Sequence, residues 1–474
     1  MYMLEKDYAI KISAILASSY YKEWVGYFEK VLRATRSKRH KHKKDVMLAM
    51  QYKLAQAETL FWEKLREGRE KAKKLHDKSQ LTPKEEKELR GLEDHILIHE
   101  QLIRISRTIC DGIAWRNLNY NRTFLNSSSR GFGAGSVDVN SKEFRSEFMW
   151  AHRISKSLDS LVILNDLTHF LRVGDLTEIK DGVAFIHEIK KYGKDIKNMF
   201  TLKRVQGKAK ISNQAKRLLE LQRIAIANKA RIGGIDIDTR VMELEPRTYI
   251  SRIKRLFRKS EKKMVVSENF DNCIQIEVTN FRAINENKKP VDVEELKKLS
   301  PKEKTKDLVL IHSNWDTFYS DEKGNFVRSA PPYSIFPFSA KDCMYLMSGY
   351  YLVKCTLNVT ILKEILKQHN WEIEDRTETD LDKQIADFEK DKDRMFSVKD
   401  GLYAHSPDDH GLFIIRRGPF SVALDTMLYA RLTMEYLTFS SFLDILEYMY
   451  RVASQRQSSD AYFPRFRNEN ELWN

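Results

Sequence analysis

Apolar residues along the first third of the chain recur at spacings of three and four. Val46, Met50, Leu54, Ala57, Phe61 and Leu65 fall on one face of a helix. Thr82-Pro83-Lys84-Glu85 is a capping box with proline at the first helical position, so a new helix starts there. The polar stretch His76 to Gln80 is the predicted turn between two antiparallel helices. Leu97, Ile98, Leu102, Ile105 and Ile109 are assigned to a third helix. Residues 1–126 therefore read as a helical N-terminal domain.

The periodicity stops at Asn126. The run NSSSRGFGAGSVDVN is rich in serine and glycine, and residues 127–140 read as a linker, flexible or facing substrate. Its glycines lack the Gly-Lys-Ser/Thr of a phosphate-binding loop. From Ser141 to Leu161 a helix carries Phe144, Phe148, Ala151 and Ile154 on one stripe. Val162, Ile163, Leu164 and Leu167 then form a buried approach to the next stretch.

That stretch, VGDLTEIKDGVAFIHEIKK from Val173 to Lys191, switches to a period of two. Leu176–Lys180 and Val183–Ile189 are predicted strands. Asp181-Gly182 between them is a type I′ hairpin signal. With those two as the loop, Lys180 pairs with Val183, Glu178 with Phe185, and Asp175 falls opposite Glu188. Lys190 shares the Glu188 face, whereas Glu178 and Lys180 point to the other. Opposed carboxylates repel at Cβ separations of roughly 4.5–5.5 Å. A divalent cation held by Asp175 and Glu188 would offset that repulsion, because hard cations take oxygen ligands.

After the hairpin, Lys190 to Lys210 is strongly basic, and Lys191 and Lys194 lie nearest the strand. Ser212 to Lys229 reads as a helix with Ala215, Leu218, Leu221, Ile224 and Ala225 inside. Arg240 to Glu245 is a candidate strand closing a central unit at 141–248. Residues 249–474 mix strands and helices. Tyr249–Lys263 is a basic amphipathic helix. Ile274–Val278, Leu308–His312 and Leu412–Arg416 are strands, Ser300-Pro301-Lys302-Glu303 starts a helix, and Ala423–Val452 is one long apolar helix. Ser313-Asn314-Trp315-Asp316 follows a strand where a ligand could be touched. The histidines and aspartates of HSPDDHG, from His405 to Gly411, sit in turn chemistry rather than a metal site.

Charge narrows the partner. In 474 residues, 82 Lys and Arg against 67 Asp and Glu leave a net charge of +15, which favours a polyanion such as nucleic acid. The densest positive run, Arg33 to Lys44, either neutralises phosphates or is a solvated loop. Four scattered cysteines, none in a CxxC pair, signal no zinc and fit a reducing cytoplasm. The N-terminal apolar stretch is broken by Lys11, and no run approaches the ~20 residues of a membrane span.

Gly174-Asp175, a hairpin, and then Glu188-Ile189-Lys190 resemble the active-site pattern of the PD-(D/E)xK nuclease superfamily, the restriction-endonuclease-like fold. Glycine stands here where the superfamily has proline. The tripeptide alone is weak, since Glu85-Glu86-Lys87, Glu178-Ile179-Lys180, Glu261-Lys262-Lys263 and Glu295-Leu296-Lys297 also match. The apolar strand, the turn and Asp175 in register set the Glu188 copy apart, with a solvated surface hairpin as the plain alternative. The resemblance covers the central third of the chain. It implies Mg²⁺ (or Mn²⁺) on Asp175, Glu188 and the carbonyl of Ile189, with Lys190 activating water and steadying the scissile phosphate. It also implies an extra acidic residue from the preceding helix, Glu147 or Asp159. Gln214 and Arg217 resemble polar residues that the following helix turns toward such a site. A solvated carboxylate or helix face is the simpler reading for these four.

The expectation is an α+β, mixed protein: an N-terminal helical region, a central restriction-endonuclease-like core and a C-terminal α+β domain. That last domain would serve recognition, regulation or self-association with a copy or a partner protein. The activity expected is metal-dependent cleavage of nucleic acid, DNA ahead of RNA. By analogy with restriction-like enzymes, bacterial or mobile-element DNA processing or defence is the setting. The alternative is a non-catalytic basic nucleic-acid-binding or scaffold protein.

Overall fold

A computed structural model of the chain describes residues 15–37, 44–118, 120, 124–125, 128, 135–171, 173–180, 183–189, 229–232, 235–238, 241–242, 246–282, 309–314, 331–375, 397–399, 402–404, 413–418, 420–424, 426–454, 461–462 and 465–466. Helices and small, mostly antiparallel sheets make a mixed α+β fold.

The N-terminal half is built on α1 (Ser19–Arg36), α2 (Lys44–His76), α3 (Pro83–Asn117) and α4 (Lys142–Leu158). The predicted hairpin of α2 and α3 is present, with the capping box made in both directions between Thr82 and Glu85. The sequence suggested a further helix for Leu97–Ile109. Instead α3 runs 35 residues without a break, since no glycine C-cap or proline interrupts it after Pro83. Ser141 caps α4 through the Phe144 N–H.

Strands β1 (Leu161–Leu164), β2 (Leu176–Lys180) and β3 (Val183–His187) form an antiparallel sheet in that order. The short strands β4 (Lys229–Ile232), β5 (Ile235–Asp238) and β6 (Val241–Met242) follow. After α5 (Ile250–Lys263) come β7 (Val265–Phe270), β8 (Ile274–Asn280), β9 (Val309–Ser313), α6 (Ala340–Ser348) and β10 (Tyr351–Asn358). Their sheet has the order β7-β8-β10-β9. Next are α7 (Val359–Gln368), β11 (Glu372–Asp375), β12 (Ser397–Lys399), β13 (Leu402–Ala404), β14 (Phe413–Arg417), β15 (Phe420–Ala423), α8 (Thr426–Thr433), α9 (Phe439–Ser454), β16 (Ala461–Tyr462) and β17 (Arg465–Phe466). The last two strands return to pair, parallel, with β5 and β6.

The single helix expected over Ala423–Val452 is β15, α8 and α9. The break lies at Tyr436, which has φ +58°, and Thr438 restarts the helix by accepting from the Ser441 N–H. Leu437 bridges to Thr248 there. Tertiary pairing overrides an apolar spacing that is continuous across the break.

One continuous set of buried side chains joins the helices, the β1–β3 sheet and the C-terminal sheets. Polar contacts reinforce the union. Tyr21 of α1 donates to the Ser348 carbonyl (2.9 Å) and Arg116 of α3 to the Ser334 carbonyl (2.6 Å). The predicted linker is fastened where it is described. Ser128 is buried and donates to the Phe170 carbonyl, Arg107 donates to the Gly135 carbonyl, and the Val139 N–H donates to Thr59 Oγ1. Among the described residues no helix is long and apolar enough to cross a membrane.

Candidate functional site

The β2–β3 ladder has the register expected from the turn: Lys180 opposite Val183, Glu178 opposite Phe185, Leu176 opposite His187. Asp175 and Glu188 are the next residues outward from the last of these pairs. The Asp175 N–H donates to the His187 carbonyl (2.8 Å), and the Asp175 carboxylate accepts from the Ile189 N–H. Asp175, Glu188 and Ile189 are all half-buried. Asp175, Glu188 and the peptide that follows thus lie at the open end of a hairpin.

Several residues outside the ladder fix this end. Asn165, which follows β1, is buried and works in every direction. Its amide donates to the carbonyls of Val173 and Gly174 (3.0 Å each), its side-chain oxygen accepts from Thr177, and its N–H donates to the Asp175 carbonyl (3.1 Å). Asp111 of α3 accepts from the N–H and Nδ1 of His169 at 2.7 and 2.6 Å, holding the loop upstream. Gln51 of α2 closes the free edge of β1. It donates to the Val162 carbonyl and accepts from the Leu164 N–H, both at 2.9 Å, as a neighbouring strand would.

Gly174 is the residue that lets the strands close. Its φ is +74°, and a Cβ there would lie 2.5 Å from Ile186 Cγ2 and 2.9 Å from the His187 carbonyl oxygen. Proline, fixed near φ −65°, has no access to this conformation. Gly174→Ala is expected to cost about 1–3 kcal/mol and to move Asp175 away from Glu188. Urea denaturation together with cleavage assays reads both effects.

Glu178 was expected on the other face of the hairpin, and there it is buried. Glu178 accepts from Ser160 Oγ (2.6 Å) and from His187 Nε2 (2.9 Å), and all three residues are buried. Burial holds the His187 imidazole below its usual pKa, against the pull of Glu178. The neutral ring donates from Nε2, and Nδ1 has no partner among the described residues. This cluster braces β2 and β3 behind Glu188. The only sequence signal for it was polar residues on a strand whose other positions are apolar.

Among the remaining predicted residues, Asp159 caps α4 with φ +51°, and its carboxylate, 93% exposed, pairs with Lys44 at 2.7 Å. It is turned to solvent, whereas Glu147 is half-buried on α4. Lys190, Lys191, Lys194, Gln214 and Arg217 lie outside the described residues, as do the helix start at Ser300, the histidines of 405–411 and residues 212–228 of the helix predicted at 212–229, whose last residue, Lys229, begins β4 instead. The described ends of the basic run are engaged: Arg33 with Glu29, Arg36 with the Phe336 carbonyl and Cys343 Sγ, Lys44 with Asp159. Of the stretch Ser313-Asn314-Trp315-Asp316, Trp315 and Asp316 lie outside the described residues, and Asn314 is an internal brace. It is buried and bonds the backbone of Leu346, Tyr351 and Val353.

Among the described residues no three His, Cys, Asp or Glu side chains converge on one point. A Mg²⁺ ion needs fewer, since it keeps several waters and takes one or two carboxylates. The half-buried pair of Asp175 and Glu188 fits that donor set. No protein-family model, curated protein or solved structure matches the chain.

Proposed function

We propose that the chain is a divalent-metal-dependent nuclease whose α4–β1–β2–β3 unit is a restriction-endonuclease-like core of the PD-(D/E)xK superfamily. The observation that carries this reading is the bond from the Ile189 N–H to the Asp175 carboxylate, just beyond the last ladder pair of Leu176 and His187. Glycine in place of the superfamily's proline follows from the φ of +74° at Gly174 and the close approach of β3. Asp175, Glu188 and the Ile189 carbonyl are the groups that would hold Mg²⁺ or Mn²⁺. When bound, the metal supplies positive charge to phosphate oxygens and acidifies water.

The chain's own residues do the rest. Asn165 and Gly174 hold Asp175 in place, and the Glu178–His187–Ser160 cluster holds Glu188. Lys190, by the resemblance, would bring a cation to the scissile phosphate. The net charge of +15 suits a nucleic-acid substrate, and DNA is proposed first.

The test offers supercoiled, linear and single-stranded DNA and RNA to the purified protein, each with Mg²⁺, Mn²⁺ or EDTA. Cleavage that EDTA stops, on DNA above RNA, is the expected result. Nucleic acid bound but never cut, whatever the metal, overturns the enzyme reading in favour of a non-catalytic binding or scaffold protein.

A further inference from the structure

Helix α5 carries more positive charge than anything around it neutralises. Its buried stripe is Ile250, Ile253, Leu256, Phe257 and Ser260, packed on β7 and β8. Apart from Ser251 and Glu261 the rest is cationic: Arg252, Lys254, Arg255, Arg258, Lys259, Lys262 and Lys263. At 100° per residue, the exposed cations from Arg258 round to Lys263 span an arc of roughly 140°.

Carboxylates reach only two of the seven. Glu268 of β7 takes Arg252 at 2.6 Å and Arg255 at 3.7 Å. Glu261, the helix's own acid, lies 4.0 Å from Lys341 of α6. Lys254, Arg258, Lys259, Lys262 and Lys263 pair with no carboxylate among the described residues. Lys254 is half-exposed and the other four are exposed.

Their spacing sharpens the point. Lys254, Arg258 and Lys262 form one row at intervals of four, and Arg255, Lys259 and Lys263 form a second. Like charges at this spacing oppose helix formation, so the helix carries a standing repulsion. Each row is about 12 Å long at 1.5 Å per residue. The described parts of the other basic run are engaged with protein groups; these five are not.

We infer that the outer face of α5 is a docking surface for the phosphate backbone of nucleic acid, away from the Asp175–Glu188 hairpin in sequence and carried on a different sheet. This rests on nucleic acid being the partner proposed above. Two rows that hold five unpaired cations fit a ladder of phosphates and contain nothing that reads bases, so the contact is sequence-independent.

The test measures binding of labelled duplex DNA, single-stranded DNA and RNA in EDTA from 50 to 300 mM NaCl, by fluorescence anisotropy. The full-length protein is compared with K254Q/R258Q/K259Q/K262Q/K263Q. Each phosphate contact contributes about 0.9 to the slope of log K against log salt on duplex. The quintuple variant is expected to lose roughly 3–4.5 of that slope and at least about tenfold in Kd at 100 mM salt. Its circular dichroism spectrum and Tm should be retained. K254Q/R258Q/K262Q and K259Q/K263Q, each with fewer changes, take proportionate shares, and K254R/K259R/K262R/K263R keeps the full slope. An unchanged slope in folded variants overturns the α5 surface while leaving the nuclease reading standing. Wild-type protein that binds none of the three nucleic acids overturns both. Vesicles of anionic phosphatidylglycerol, run in parallel, then show whether the helix serves a lipid surface instead.

Discussion

Glu188→Gln is expected to abolish metal-dependent cleavage while leaving the fold intact. The amide has the size of the carboxylate and keeps an acceptor, so β3 and its bonds to β2 have no reason to move. It removes the negative charge that, with Asp175, would hold the cation. Metal charge stabilisation supplies several kcal/mol to phosphoryl chemistry, and each 1.36 kcal/mol is tenfold in rate. A loss of about 10³-fold or more follows. Single-turnover cleavage on the preferred substrate, with circular dichroism as the folding control, checks it. Metal affinity by isothermal titration calorimetry should fall in parallel. Cleavage that survives at the wild-type rate would move the active centre elsewhere.

The second large effect is on stability. Glu58 of α2 and Arg107 of α3 form an ion pair at 3.0 Å, with side chains 0% and 2% exposed. Arg107 also donates to the Gly135 carbonyl and lies over the Trp62 ring at 5.8 Å. Glu58→Leu would leave a buried guanidinium without the carboxylate it faces. Breaking one side of such a pair costs about 3–5 kcal/mol, because the charge that remains stays desolvated. Adding Arg107→Met should restore much of the loss, since an apolar pair of similar volume is often neutral. Equilibrium urea unfolding of both variants measures the difference. Equal stabilities for single and double variants would contradict the account.

Local signals were the legible part of this chain. The capping box at Thr82, the helix starting at Ser141 and strands β8, β9 and β14 follow from residues within a few positions of each other. The β2–β3 register was legible for the same reason, since a two-residue turn leaves one pairing. Strand β1 was read only as a buried approach, because four consecutive apolar residues, Leu161 to Leu164, show neither period. The buried role of Glu178 was hidden because its partners, Ser160 and His187, come from either side of it in sequence. Gly174 was visible as a glycine, but its purpose depends on how near Ile186 and the His187 carbonyl approach. The two halves of the Ala423–Val452 stretch separate through a bridge to Thr248, far outside any local window.

The clasp of Gln51 on β1 spans 111 residues. During synthesis the helix bearing Gln51 leaves the ribosome well before Val162 and Leu164 exist. The first strand of the sheet therefore emerges to find a partner for its outer edge already in place. An edge strand exposed at that stage is where nascent chains join wrongly to one another. Here the interval of exposure ends as soon as β1 reaches α2, so the order of residues in the chain itself protects the strand that leads into Asp175.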